Sequence, residues 1–96
     1  SYLYRTKTSE NRVVVLGLGF VGITLAVSLA GKGHNVLGVD VNLDLVNKLN
    51  KGQSHVYEPG LSESLCSNLK SKNISFNNEI SQSYDIYIIA VGTPLK

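Results

Sequence analysis

Short apolar runs alternate with helical patterns along most of the chain. The run Val13–Leu16 is continuous and rich in β-branched residues, which is typical of a strand buried on both faces of a parallel sheet. Between Phe20 and Ala30 the apolar positions recur with the 3.6-residue period of a helix. The pattern further predicts strand 36–39, a helix capped by Asn42 and ended by Gly52, helix 61–69, strand 74–76 and strand 85–91.

The order of these elements predicts an α/β fold. Strands that alternate with helices of this length form parallel sheets with right-handed crossovers. In the usual doubly wound arrangement the four strands lie in the order 3-2-1-4. Such folds normally continue with further strands, so the chain is expected to be part of a longer protein.

Composition restricts the class of protein. The chain has 96 residues, of which 43% are hydrophobic and 17% charged, a balance typical of one soluble globular domain rather than a disordered segment. We divide it into a polar leader, residues 1–11, and a folded domain, residues 12–96. The net charge of +2 and the scattered basic residues argue against a nucleic-acid partner, and no apolar run is long enough to span a membrane.

The single cysteine, Cys66, excludes an internal disulfide and a cysteine-rich metal site. It favours a reducing, cytoplasmic location. The two histidines, His34 and His55, belong to no spaced cluster of metal ligands, so no metal site is predicted. We expect structural or solvated roles for both, His34 in the turn before the second strand and His55 in the loop 53–57.

A glycine motif lies between the first strand and the first helix. The segment Gly17-Leu18-Gly19-Phe20-Val21-Gly22 has the form G-x-G-x-x-G in the strand–loop–helix context that dinucleotide-binding folds require. The first glycine permits a tight turn, the second lets backbone approach a pyrophosphate, and the third allows close helix packing. The helix N-terminus then presents N–H groups to the phosphates. This motif predicts a partial Rossmann-type sheet.

An acidic residue, Asp40, follows the second strand, 18 residues after Gly22. A carboxylate at this position accepts hydrogen bonds from the ribose hydroxyls of the adenosine and repels the extra phosphate of NADP. No arginine follows that would bind this phosphate, so we predict NAD as the cofactor. The alternative is a glycine-rich turn in which Asp40 caps a helix.

Three segments resemble the UDP-glucose/GDP-mannose dehydrogenase family, the nucleotide-sugar 6-dehydrogenases. They read VVVLGLGFVG at 13–22, NKGQSHVYEPGL at 50–61 and YDIYIIAVGTPLK at 84–96. The motifs Glu58-Pro59-Gly60-Leu61 and Val91-Gly92-Thr93-Pro94 are more specific than the glycine loop. The resemblance covers nearly all of residues 12–96, in order and in spacing.

The resemblance implies roles for particular residues. Leu18 to Val21 would form the pyrophosphate loop, and Asp40 would hold the ribose. Val91, Gly92 and Thr93 would line the adenine and ribose side at the end of the fourth strand. One departure is Leu45, which stands where many members have Lys or Arg to help hold the adenosine.

The resemblance also implies an activity for the parent protein. Family enzymes oxidise C6 of a UDP- or GDP-sugar to the uronate with two NAD, through a thioester on a catalytic cysteine. That cysteine and its partner residues lie in motifs beyond this chain, and Cys66 does not match them. We therefore assign no catalytic residue here, and we expect this portion to bind NAD without turning over a nucleotide sugar.

Two residues near the third helix have structural interpretations. Cys66 falls on a helix whose leucines face the core, so we expect a small buried hydrophobe. Glu58 precedes Pro-Gly, and its carboxylate can cap the following helix or reach a ligand; capping is the favoured use.

Two other classes of protein share the glycine motif. One is the non-catalytic, NAD-sensing regulatory domain of potassium channels and transporters, which resembles residues 13–40. The other is a different hydroxyacid or hydroxyacyl dehydrogenase. Glu58-Pro59-Gly60-Leu61 and Thr93-Pro94 favour the nucleotide-sugar enzymes. Which sugar is bound stays open, and the exposed edge of an outer strand favours formation of a homodimer.

Overall fold

The computed structural model describes residues 11–91, in which strands and helices alternate. Its strands are β1 (Arg12–Leu16), β2 (Asn35–Val39), β3 (Ile74–Asn77) and β4 (Ile86–Ile89). Its helices are α1 (Phe20–Gly31), α2 (Leu43–Asn50) and α3 (Leu61–Lys70). All strand pairs are parallel, and the sheet order is β3-β2-β1-β4. The predicted α/β class and the strand order 3-2-1-4 are confirmed.

The central strand β1 is buried on both faces, as its apolar run predicted. Val13 and Val15 face the larger core, which all three helices of the described region cover. Val14 faces the opposite side, where it packs with Leu37 and Val39 beneath the connection between β3 and β4. Ile80 and Tyr84 supply the cover on that side. The helices lie on one face because successive right-handed crossovers run in the same direction across the sheet.

The last strand is shorter than the predicted 85–91. Regular strand structure spans Ile86–Ile89, although ladder hydrogen bonds continue one residue beyond each end. The amide of Asp85 donates to the carbonyl of Arg12 (2.8 Å), and the amide of Ala90 donates to that of Leu16 (2.7 Å). The discrepancy is of the size by which strand ends commonly differ between criteria.

The starts of α2 and α3 differ in kind. The predicted cap of α2 is confirmed, since Asn42 Oδ1 accepts the N–H of Leu45 at 3.1 Å. The predicted capping of α3 by the Glu58 side chain is wrong. The N-cap is Gly60, in the left-handed conformation (φ +81°), and no side chain caps the helix. The Pro-Gly turn brings the Glu58 carbonyl, rather than its carboxylate, to the Leu61 N–H at 3.0 Å.

The expectation that Cys66 is buried is also wrong. The apolar stripe of α3 consists of Leu61, Leu65 and Leu69, at spacings of four residues. Cys66 follows Leu65 by one residue, which turns it by about 100° around the helix axis. Its free thiol is exposed, and its Sγ lies 3.6 Å from the carbonyl oxygen of Gly52.

The segment Asn50-Lys51-Gly52 fastens the end of α2 to the sheet. The Asn50 amide donates to the Phe76 carbonyl (2.9 Å), and its oxygen accepts the Phe76 N–H (3.1 Å), as a neighbouring strand would. Gly52 has φ +82°, and a Cβ there would lie 2.8 Å from Cys66 Sγ. Part of the segment 50–61, one of the three that resemble the family, therefore has a structural role.

Candidate cofactor-binding site

The carboxyl ends of β1, β2 and β4 meet at one edge of the sheet. The strand order reverses at β1, since β2 and β3 lie on one side of it and β4 lies on the other, and ligands of open α/β sheets bind at such a point. A cavity of about 160 Å³ opens there. It is smaller than the roughly 300–1,000 Å³ of a typical complete ligand pocket, so it suits one part of a larger ligand. Its lining residues are Leu16, Gly17, Val39, Asp40, Val41 and Val91.

A second, wider groove of about 360 Å³ lies between α1 and the start of α3. Phe20 and Thr24 line one side, and Glu58 to Leu61 line the other. Asp40, the cavity and the ends of β1 and β2 are not part of it. The chemistry predicted from the glycine motif is therefore concentrated in the smaller cavity and the loop beside it.

The glycine loop begins with a turn that only glycine fits comfortably. Gly17 has φ +98°, and its N–H donates to the Val39 carbonyl at 2.8 Å, which holds the loop against β2. A Cβ on Gly17 would lie 2.9 Å from the backbone nitrogen of Val91. The start of the loop is thus in direct backbone contact with the end of the β4 segment.

The other two glycines of the motif have opposite surroundings. A Cβ on Gly22 would lie 1.7 Å from the carbonyl oxygen of Gly17, so α1 approaches the loop only because this atom is absent. The close-packing role predicted for Gly22 is confirmed. Around the Cβ position of Gly19 no atom of the described chain lies within 4 Å. That space is open to a ligand.

The electrostatic potential at the N-terminus of α1 favours binding of an anion. Gly19 is its N-cap, no side chain caps it, and its first turn contains no acidic residue. The first N–H groups of a helix lack intrahelical partners and carry the positive end of the helix dipole. The side chains of Phe20 and Val21 are exposed beside them, 53% and 64% respectively.

Asp40 connects the glycine loop to the turn that follows β2. Its Oδ2 accepts the N–H of Leu18 at 2.9 Å, and its Oδ1 accepts the N–H of Asn42 at 3.0 Å. The carboxylate is half-buried at the rim of the cavity. Since each carboxylate oxygen accepts about two hydrogen bonds, both retain capacity for a hydroxyl donor.

Of the three positions predicted at the end of the fourth strand, one lies within the described residues. Val91 lines the cavity, whereas Gly92 and Thr93 lie outside the described residues. Leu45 is half-buried against the core, and its backbone N–H donates to Asn42 Oδ1 in the cap of α2. This position therefore supplies packing rather than a cation.

His55 is a site residue that the sequence pattern did not reveal. Its Nε2 lies 2.6 Å from the carbonyl oxygen of Leu18, in the middle of the glycine loop. The two residues are 37 positions apart, and no periodicity or motif links them. His34 lies in the turn before β2, as predicted, where its Nδ1 accepts the N–H of Asn11 at 3.4 Å.

Within residues 11–91, no three His, Cys, Asp or Glu side chains are grouped closely enough to hold a metal ion. None of the helices in the same region has both the length and the apolar character needed to cross a membrane.

Comparison with known families decides between the alternatives. The sequence model of the UDP-glucose/GDP-mannose dehydrogenase family, NAD binding domain, matches residues 11–96. The chain belongs to this family. NAD is accordingly the cofactor of the domain, as Asp40 predicted. The family match does not favour the regulatory domain of a potassium channel or transporter.

Individual family members agree with this assignment. The chain is 34% identical to GDP-mannose 6-dehydrogenase of Azotobacter vinelandii over 88 residues, 88% of this chain and 20% of the relative. It is 37% identical to UDP-N-acetyl-D-mannosamine dehydrogenase of Campylobacter jejuni over 86 residues, 90% of this chain and 21% of the relative.

A solved relative extends the agreement to the fold. The structure of a UDP-glucose dehydrogenase from Pyrobaculum islandicum superimposes with a TM-score of 0.81 at 41% identity, and the match covers 97% of this chain and 22% of that one. The chain thus spans about a fifth of the length of the dehydrogenases it matches.

Proposed function

We propose that the edge formed by the glycine loop, Asp40 and Val91 binds the adenosine diphosphate half of NAD. The observation that carries the proposal is the hydrogen bond between Asp40 Oδ2 and the Leu18 N–H. It supports the proposal because the carboxylate that would bind the ribose contacts the loop that would bind the phosphates. A carboxylate that served only as a helix cap would have no reason to reach the glycine loop.

Each part of the adenosine diphosphate half has a chemically suitable partner in this arrangement. The pyrophosphate would lie at the uncapped N-terminus of α1, in the open space beside Gly19. The adenosine ribose would donate to Asp40, and the adenine would enter the cavity beside Val91. Gly92 and Thr93, next along the chain, would complete the adenine side.

The parent protein, on this proposal, is an NAD-dependent nucleotide-sugar 6-dehydrogenase that oxidises C6 of a UDP- or GDP-sugar to the uronate with two NAD. Bound NAD supplies the hydride acceptor. The names of the relatives, which include GDP-mannose 6-dehydrogenase and UDP-N-acetyl-D-mannosamine dehydrogenase, support the substrate class. We assign residues 12–96 to cofactor binding and residues 1–11 to a leader, and we propose a cytoplasmic location.

Calorimetric titration tests the cofactor site. The 96-residue chain is expected to bind NAD more tightly than NADP. Asp40→Asn should weaken NAD binding by about tenfold or more, because the amide can no longer accept from both backbone N–H groups and a ribose hydroxyl. Its preference for NAD over NADP should also narrow, since the repelling charge is removed.

Asp44→Asn is the matched control. It removes the same charge from the exposed first turn of α2, close in sequence but outside the cavity lining. Its NAD affinity should equal that of the unsubstituted chain. Equal losses in the two variants, or no NAD binding by the unsubstituted chain, would contradict the proposed site.

A second measurement tests the proposal that this portion of the protein binds NAD but lacks the catalytic residues. The 96-residue chain, mixed with NAD and either UDP-glucose or GDP-mannose, should produce no NADH, because no residue in it is assigned to catalysis. Sustained NADH formation would show that catalytic groups have been overlooked.

A further inference from the structure

In the loop between α2 and α3, the side chain of His55 contacts the glycine loop. Its Nε2 is 2.6 Å from the carbonyl oxygen of Leu18. Because a carbonyl oxygen only accepts hydrogen bonds, Nε2 carries the proton in this contact. We infer that His55 is a positioning residue for the cofactor, which turns the Leu18–Gly19 peptide so that the Gly19 N–H faces the pyrophosphate. This inference rests on the proposed function.

The geometry of the peptide unit gives the direction. The described chain has no cis peptide bonds, and in a planar trans peptide the C=O and the following N–H point in opposite directions. With His55 on the carbonyl of Leu18, the N–H of Gly19 must point away from the 53–57 loop. Gly19 is exposed and is the N-cap of α1, so its N–H joins the donors at the helix start.

Leu18 is held at three points, and each restrains a different part of the loop. Its side chain is fully buried in the main core. Its N–H donates to Asp40, which fixes the Gly17–Leu18 peptide. Its carbonyl accepts from His55, which fixes the Leu18–Gly19 peptide. Without His55 the second peptide could rotate, since glycine tolerates most backbone angles on its other side.

His55 itself is held in place by its neighbours. The Ser54 hydroxyl donates to the Val56 carbonyl (2.8 Å) and accepts the Val56 N–H (3.1 Å), which closes a tight turn around His55. The turn keeps the imidazole pointed at the glycine loop although the residue as a whole is exposed. The hydrogen bond also polarises the Leu18–Gly19 peptide, which strengthens its N–H as a donor.

A merely structural role, in which the ring only ties the 53–57 loop to the body of the domain, predicts different behaviour. It would change stability and affect all ligands alike. A positioning role acts only on ligands that contain a pyrophosphate. ADP and adenosine distinguish the two, because they share the nucleoside and differ in the phosphates.

The experiment titrates NAD, ADP and adenosine into the 96-residue chain and follows binding by NMR chemical shifts. His55→Phe should weaken NAD and ADP binding by about threefold to tenfold, the effect of one hydrogen bond, and leave adenosine binding unchanged. His55→Gln, whose side-chain N–H can reach the same carbonyl, should restore most of the loss. The Gly19 amide resonance of the free protein should shift in His55→Phe and return in His55→Gln.

His34→Phe is the matched control, since the hydrogen bond of the His34 ring is to Asn11 and not to the glycine loop. It should bind all three ligands normally. Equal weakening of ADP and adenosine in His55→Phe, unchanged ADP binding, or failure of His55→Gln to restore it would overturn the inference while the proposed NAD site stands. Absence of NAD binding in the unsubstituted chain would overturn both.

Discussion

Two glycines three positions apart in the loop after β1 meet different physical demands. At Gly22 the protein backbone leaves no room for a side chain, because a Cβ there would lie 1.7 Å from the Gly17 carbonyl oxygen. Gly19 is free of such contacts, since its Cβ would meet no described atom within 4 Å. Gly22 is therefore required by the fold, whereas the space beside Gly19 is open to a ligand.

Alanine at each position should separate these demands. Gly22→Ala must push α1 away from the loop, so the free energy of unfolding should fall by about 1–3 kcal/mol. Gly19→Ala should leave that free energy within about 0.5 kcal/mol, because the site is open, yet weaken NAD binding by placing a methyl group where the pyrophosphate approaches. Urea unfolding and calorimetric titration measure the two quantities. A Gly19→Ala variant that bound NAD normally would count against the proposed pyrophosphate position.

Residues whose roles depend on local backbone chemistry were predictable from the sequence. The turn at Gly17 and the cap at Asn42 act within a few residues of their own position, so their types and spacing suffice to predict them. His55 acts on a carbonyl 37 residues away, and no local signal encodes that contact. Glu58 was assigned to a cap because its residue type suits one, but the turn at Gly60 decided which atom reached the helix.

At the scale of elements, the junction between α2 and β3 depends on a side chain that makes the hydrogen bonds of a neighbouring strand. The Asn50 amide pairs with both backbone groups of Phe76, at 2.9 and 3.1 Å. β3 is the outer strand on this side of the described sheet, so these groups have no strand neighbour there to satisfy them. The side chain of Phe76 is buried directly beneath, in the main core.

Loss of this pairing should destabilise the domain. Asn50→Ala leaves a partly buried donor and acceptor without partners, which should lower the free energy of unfolding by about 1–3 kcal/mol. Asn47→Ala, on the exposed side of the same helix, controls for the change in helix propensity and should alter stability by no more than about 0.5 kcal/mol. Chemical unfolding of both variants provides the comparison, and equal effects would contradict the role of Asn50.

Most of the elements were recoverable from the hydrophobic pattern because they bury its apolar positions, whereas β4 was recognisable from its apolar run although Ile86, Tyr87 and Ile89 are exposed. Helix α3 shows the limit of this approach. Leu61 and Leu65 mark its buried stripe correctly, but the next buried residue of the helix, Asn68, is polar. Asn68 is satisfied by hydrogen bonds to Ser64 and Asn73, which residue type alone does not predict. The misplacement of Cys66 had the same origin, since an apolar residue was assumed to share the face of its neighbours.

For the molecule as a whole, the distribution of exposed apolar side chains is uneven. Within residues 11–91, β4 pairs only with β1, and Ile86, Tyr87 and Ile89 are exposed along it. Ile89 is 72% exposed, which is unusual for an isoleucine in a sheet. An outer strand with apolar side chains favours pairing with another chain.

The 96-residue chain is therefore expected to self-associate as its concentration rises, and sedimentation velocity measures this directly. Ile89→Lys should shift the distribution toward monomer, because a charge on an outer strand opposes pairing. Tyr57→Lys adds the same charge at an exposed side chain in the loop before α3, and it should leave association unchanged. A chain that sediments as a monomer at every concentration would exclude this use of the β4 edge.

The burial of Leu18 has a consequence for how the domain tolerates change. Its side chain is fully enclosed in the core, and it closes over Gly38 together with Phe76, so that a Cβ there would lie 2.9 Å from Leu18 Cδ2. The backbone of the same residue belongs to the proposed phosphate-binding loop. Substitutions that alter the volume of the core around Gly38 would therefore displace the loop as well. For substitutions around Leu18 and Gly38, we therefore expect the free energy of unfolding and the affinity for NAD to change together.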